Sequence, residues 1–222
     1  SIFGVGTILG AYTILTREIS RNYLGTNPAS AFLELDQVDD SLVEAVRKQP
    51  NIADAEAGSW VTARVETKPN EFLPLLLFVV KDFETMRIST FSPEAGLFPP
   101  PAQTILLERE ALTLLKMKIG DTLSVQTPSG TKQSIEISGT VHDPSLAPAW
   151  QEQTVYGYIT PDTLKYLGES GTLQLLKVVV KDQPYDTATI DKTVGDLTTW
   201  LKSQERTIEE IRIPPPGKHP HQ

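Results

Sequence analysis

"GVGTILGAYTILTREISRNYL", residues 4–24, decides how the rest of the chain is read. It carries Gly4, Gly6 and Gly10, and no charged residue precedes Arg17. A dinucleotide-binding turn needs a strand before its first glycine and G-x-G-x-x-G spacing. Here the spacing is G-x-G-x-x-x-G and only three residues precede Gly4, so both conditions fail. A secretory signal needs a basic start and a small-residue cleavage site, and neither is present. What remains is a helix. Ser1–Thr16 is uncharged and largely apolar, but it falls short of the about 20 residues that a bilayer core demands at about 1.5 Å per residue. It reads as the end of a truncated transmembrane helix, with Gly6 and Gly10 forming a small-residue face for close helix contact.

Past Thr16 the pattern becomes amphipathic. Ile8, Tyr12, Leu15, Ile19 and Tyr23 recur every three or four residues, with Arg17, Glu18 and Arg21 between them. The helix is expected to leave the bilayer as a stalk and stop near Gly25, with Asn27-Pro28 as breakers. Tyr12, Leu15, Ile19 and Tyr23 are the candidate contacts to a second stalk or a partner protomer.

The 222 residues carry 20 basic and 28 acidic side chains, a net charge of −8, with no Lys/Arg cluster. A phosphate-backbone binder shows a basic patch, so nucleic acid is not an expected partner. The absence of cysteine removes disulfides, thiolate metal sites and thiol nucleophiles. Among 17 prolines, the runs 99–101 and 214–216 read as stiff connectors.

From residue 29 the chain reads as strand (29–37), helix (39–50, capped by Asp39 or Asp40 and ended by Pro50), strand (53–67) and long apolar strand (71–82). Pro74 marks an edge or bulge of the last. Near the other end come a buried strand (173–182), an amphipathic helix (186–204) and a strand (208–214). The helix carries Ile190, Val194, Leu197, Trp200 and Leu201 on its inner side. Two such units on one sheet make a split β-α-β, ferredoxin-like layer. Residues 84–170 differ: short strands, a hairpin turning at Pro128-Ser129-Gly130, and a short helix from Pro161 to Gly168. They read as a β-rich subdomain inserted between the halves of the first. The fold class is therefore α+β.

Catalytic signals are weak. His142, Asp143 and Ser145 fall in "VHDPSLAPAW", with no G-x-S-x-G elbow. A soluble hydrolase using His142 and Asp143 is the least favoured reading, and loop hydrogen bonding is the expected role. His219 and His221 lack a third ligand. No catalytic, cofactor-binding or metal-binding residue is assigned. Trp150, in an expected exposed turn, is the candidate surface contact.

The order of "NPAS" (27–30), "ILLERE" (105–110), "KIGD" (118–121) and "GTVHDPSLAPAWQEQTVYGYIT" (139–160) after a membrane-helix end resembles the extracytoplasmic (periplasmic) domain of an FtsX/MacB-type ABC transporter permease. The resemblance implies a domain on the extracytoplasmic side of the bacterial inner membrane, between the first and second transmembrane helices. Its organisation would be a truncated transmembrane helix and stalk (1–27), a porter-like β-α-β layer (28–84 with 171–213), a sabre-like inserted subdomain (85–170) and a proline-rich linker (214–222). Implied partners are an ABC ATPase subunit or domain, a second permease protomer or domain, and a periplasmic adaptor or substrate protein. The domain would couple ATP hydrolysis to export or mechanotransmission and would not itself be an enzyme. The alternative is a membrane-anchored extracytoplasmic sensor or ligand- or peptide-binding domain.

Overall fold

The computed structural model describes residues 2–221, with side chains from Thr13 onward. A 23-residue helix, α1 (Ile2–Leu24), leads into β1 (Ala31–Leu35), α2 (Asp40–Arg47), β2 (Ile52–Lys68) and β3 (Glu71–Val80). Then follow β4 (Ser92–Gly96), β5 (Thr104–Glu108), α3 (Arg109–Leu115), β6 (Thr122–Gln126), β7 (Lys132–His142) and α4 (Ala149–Glu152). The chain returns through β8 (Val155–Ile159), α5 (Pro161–Tyr166), β9 (Leu175–Val180), α6 (Thr187–Ser203) and β10 (Ile208–Arg212). No described helix is long and apolar enough to cross a membrane.

The chain is α+β. Four strands lie in the order β10-β1-β9-β2, each antiparallel to its neighbour. Alternation in β1 sends Ala31, Leu33 and Leu35 into a core that α2 and α6 cover. Helix α2 presents Leu42, Val43 and Val46, and α6 presents Ile190, Val194, Leu197 and Leu201 at helical spacing. Both helices start on aspartate caps. Asp39 accepts the Leu42 N–H at 2.8 Å, and Asp186 accepts the Thr189 N–H at 2.9 Å. On the opposite face Phe32, Trp60 and Lys177 border a cavity that Tyr23 of α1 also lines.

Strand β2 runs 17 residues and outlasts the layer. Residues 52–58 pair with β9; from Gly58 onward β2 pairs with β3 instead. The pairing then travels from β3 to β8, β5, β7 and β6, and β6 returns to β2 at Arg64–Glu66. The six strands close into a small barrel. Its interior holds Val65, Leu77, Leu107, Val125, Ile137 and Val155, with Leu164 and Leu167 packing against them from α5 and the turn after it. Gly157 faces inside, where a Cβ would lie 2.5 Å from Ile105 Cδ1 and push that side chain aside. Strand β4 pairs on the outside, with β7.

Here the structure departs from the sequence reading. The inserted segment was expected to begin at 85, with all of β2 and β3 in the first layer. Instead Ala63, Val65, Leu75, Leu77 and Val79 belong to the barrel core. The reason is edge closure: β5–β8 would expose unpaired edges, and the β2–β3 hairpin removes them. Pro74 sits one residue before the β8 ladder begins, where a missing N–H breaks no pairing to β8.

Leu77 is fully buried, whereas Ile119 is 37% exposed. Leu77→Ala should destabilise the chain by about 2–5 kcal/mol in urea denaturation, while Ile119→Ala should stay within about 0.5 kcal/mol.

Candidate functional site

Helix α1 ends at Gly25, whose N–H reaches Arg21 O at 3.0 Å. The next residues join the helix to the sheet. Thr26 bonds back to Tyr23 O through both its N–H (3.0 Å) and its hydroxyl (2.6 Å). Asn27 turns the chain at φ 51°, the left-handed region that asparagine tolerates. The strand-like exchange that follows is with residues 87–90. Ser89 N–H donates to Asn27 O at 2.8 Å and Thr90 N–H to Thr26 O at 2.9 Å. Asn27 Nδ2 donates to Arg87 O at 2.8 Å. Ser30 then enters the sheet, its N–H on Val178 O at 2.8 Å.

The 87–90 segment is itself held by two acids of β2. Arg87 bonds Asp54 with both Nε (2.8 Å) and Nη2 (3.0 Å), the bidentate fork that guanidinium and carboxylate favour. Arg47 of α2 reaches the same carboxylate at 3.1 Å. Glu56 accepts the backbone N–H groups of Arg87 at 2.5 Å and Ile88 at 3.3 Å. The Arg87 hydrogen bonds, aided by the Ala55 N–H and the two positive charges, hold the Asp54 carboxyl below its ordinary range. A continuous chain of polar contacts thus runs from the end of α1 through residues 26–29 and 87–90 to β2 and α2.

The tail reaches the same place. Tyr23, 5% exposed, meets the His219 ring edge-on at 5.4 Å. His219 is 8% exposed, with Nε2 2.6 Å from Pro144 O, and its Nδ1 accepts the His221 N–H at 3.1 Å. His219, in the segment expected as a proline-rich linker, is packed on the domain beside the end of α1.

The sequence candidates therefore separate. Leu15 and Ile19 are 59% and 37% exposed on the projecting helix, and Ile14 beside them is 65% exposed. Tyr23 is turned inward, so it is not available to a partner. The Tyr12 side chain lies outside the described residues. Trp150 is 60% exposed on α4. The residues His142, Asp143 and Ser145 do not form a relay. Asp143 Oδ1 accepts both the N–H (2.9 Å) and the hydroxyl (2.6 Å) of Ser145, and Oδ2 accepts the Tyr158 hydroxyl at 2.5 Å. His142 Nδ1 lies 3.5 Å from Glu108 instead. Burial pushes the Glu108 carboxyl up, and its other work is to cap α3 at the Glu110 N–H. Asp54, Glu56 and Arg87 had not been singled out from sequence, and His219 had been weighed only as a weak metal ligand.

No family model matches the chain, and no curated protein matches it. Among solved structures it is similar to the periplasmic region of MacB from Actinobacillus actinomycetemcomitans. That likeness has 13% identity and a TM-score of 0.47, over 84% of this chain and 91% of that one. It is similar to the extracellular domain of the ABC-type transporter YknZ from Gram-positive bacteria, at 10% identity and a TM-score of 0.49, over 81% and 100%. It is also similar to a permease protein domain from Porphyromonas gingivalis, at 12% identity and a TM-score of 0.43, over 83% and 92%.

Asp54 gives the joint a pH signature. Its lowered pKa means that its contribution is present above the unfolded value of about 3.9 and is lost as pH falls through the folded value. Asp54→Asn should cost about 1–3 kcal/mol at neutral pH. The gap between wild type and variant should narrow toward pH 3, as read from urea denaturation at the two pH values.

Proposed function

We propose that this chain is the extracytoplasmic domain of an ABC transporter permease of FtsX/MacB type, standing on the outer side of the bacterial inner membrane. The observation that carries the reading is the meeting of α1 and the 214–221 tail at Tyr23 and His219. A domain inserted between two successive membrane helices must receive and return the chain at one end, and this contact meets that requirement. The sequence resemblance and the uncharged start of α1 support the same reading.

The mechanism follows from the joint. Helix α1, roughly 34 Å long at 1.5 Å per residue, is a lever whose tip is bonded to residues 87–90. Those residues are clamped by Asp54 and Glu56 onto β2. A tilt of the helix is passed to the layer and, along β2, to the barrel, as a rigid-body movement. ATP hydrolysis by a separate ATPase subunit or domain drives the tilt, and the exposed Ile14, Leu15 and Ile19 pack on a second stalk or protomer. The modules are the stalk, the layer and the barrel, with Trp150 as a contact for an adaptor or substrate protein. The domain acts as a transmitter and not as an enzyme.

The full-length protein, purified from membranes, should bring a stoichiometric ATPase whose turnover changes when residues 28–213 are removed. Ile19→Glu should lower that coupled turnover without unfolding the domain. An intact membrane complex with no ATPase would favour a membrane-anchored sensor or binding module. Unchanged coupling in Ile19→Glu would remove the stalk contact.

A further inference from the structure

The face of the layer opposite α2 and α6 borders a cavity of about 330 Å³, which Tyr23 of α1 also lines. Phe32, Trp60, Phe78 and Tyr158 line it, together with Leu146 from the 143–146 loop and Pro214 and Pro220 from the tail. The aromatic rings support one another: Phe32 and Trp60 lie 4.9 Å apart, and Phe78 and Tyr158 lie 5.1 Å apart. The volume is at the lower end of the about 300–1,000 Å³ typical of small-molecule sites.

Three charged groups enter this apolar wall, and their occupancy differs. Asp143 is engaged on both oxygens, by Ser145 and Tyr158. Arg212 is bonded to Glu210 at 3.0 and 3.3 Å and lies over Trp60 at 5.3 Å. Lys177 is different. Its side chain is only 17% exposed, and the nearest acid, Glu56 Oε2, is 3.9 Å from Nζ, beyond hydrogen-bond reach. Glu56 is itself occupied by the Arg87 and Ile88 N–H groups. Gly58 of β2 lies alongside the amine, where a Cβ would stand 3.9 Å from Nζ. Burial pushes the Lys177 amine down, against the pull of Glu56 and Asp143.

Lys177 also borders a second cleft of about 380 Å³, which is lined by charged side chains such as Asp40, Arg47, Lys81 and Asp82. The ammonium thus stands at the seam between a polar and an apolar space. We propose that the aromatic cavity binds a small carboxylate amphiphile, its apolar chain or ring against Phe32, Trp60 and Phe78 and its carboxylate on Lys177. Such a carboxylate supplies the charge-assisted hydrogen bond that Glu56 is too distant to give. A cationic amphiphile of the same length meets a buried positive charge instead. The site is independent of the transport reading, and its test needs neither membrane nor ATPase.

The test is calorimetric titration of the 222-residue chain with decanoate, below its micellar concentration, against decyltrimethylammonium. Decanoate should bind roughly tenfold or more tightly than the cation. Lys177→Met keeps the apolar stem and should remove that preference while leaving the melting temperature unchanged or raised. Leu146→Trp fills the loop side of the cavity and should weaken decanoate binding. The proposal is overturned by no decanoate binding at millimolar concentration, by equal affinity for the two amphiphiles, or by undiminished decanoate binding in a folded Lys177→Met. If Lys177→Met fails to fold, undiminished binding in Leu146→Trp overturns it.

Discussion

Strand β2 carries two hydrogen-bond ladders that belong to two different bodies. Gly58 is the residue where they meet, opposite Leu175 of β9 on one side and Val80 of β3 on the other. Before it the strand completes the four-stranded layer; after it the strand closes the barrel. Two modules joined by a loop turn about that loop at little cost. These two share a strand, so independent rotation would break backbone hydrogen bonds that have no water to replace them in the buried ladder. The lengths of the other strands, the position of Pro74 and the small residue at Gly157 all follow from a barrel that must close on one side of a strand already committed on the other.

The local elements were largely legible. Asp186, the Ile190–Leu201 spacing and the Gln204 end define α6 from sequence, and Pro128-Ser129-Gly130 places the β6–β7 hairpin. What periodicity cannot state is the partner. The alternation of Ser59, Val61, Ala63 and Val65 says that one face is buried but not in which core. The closing contacts are parallel pairings of β3 with β8 and of β5 with β7, across long separations. No local rule ranks those over a second open sheet, and so the barrel was read as an insertion beginning at residue 85 instead of within β2.

The joint was hidden for a different reason. Asp54 and Glu56 lie in "ADAEAG", where alternating acids read as a solvated strand face. Their partner Arg87 is in a loop with no periodic signal. Tyr23 continued an apolar stripe whose spacing is met equally by a residue that faces a neighbouring stalk and by one that folds onto its own domain. The distinction depended on His219, in a proline-rich tail that composition alone marks as extended and exposed. Burial at Tyr23 and exposure at Leu15 and Ile19 divide the stripe between an inner anchor and an outer face.

The Tyr23–His219 contact also bears on how the proposed lever would load the domain. The arriving helix and the departing tail are tied together within one ring-to-ring distance of 5.4 Å. On the proposed reading, both membrane links leave the domain at this one contact. Drawing the two strands of its mooring apart loads the aromatic contact and the Pro144 carbonyl before it loads the sheet. Turning them together swings layer and barrel as one mass. On that reading, torque would reach layer and barrel, while tension between the links would be borne at Tyr23, His219 and Pro144.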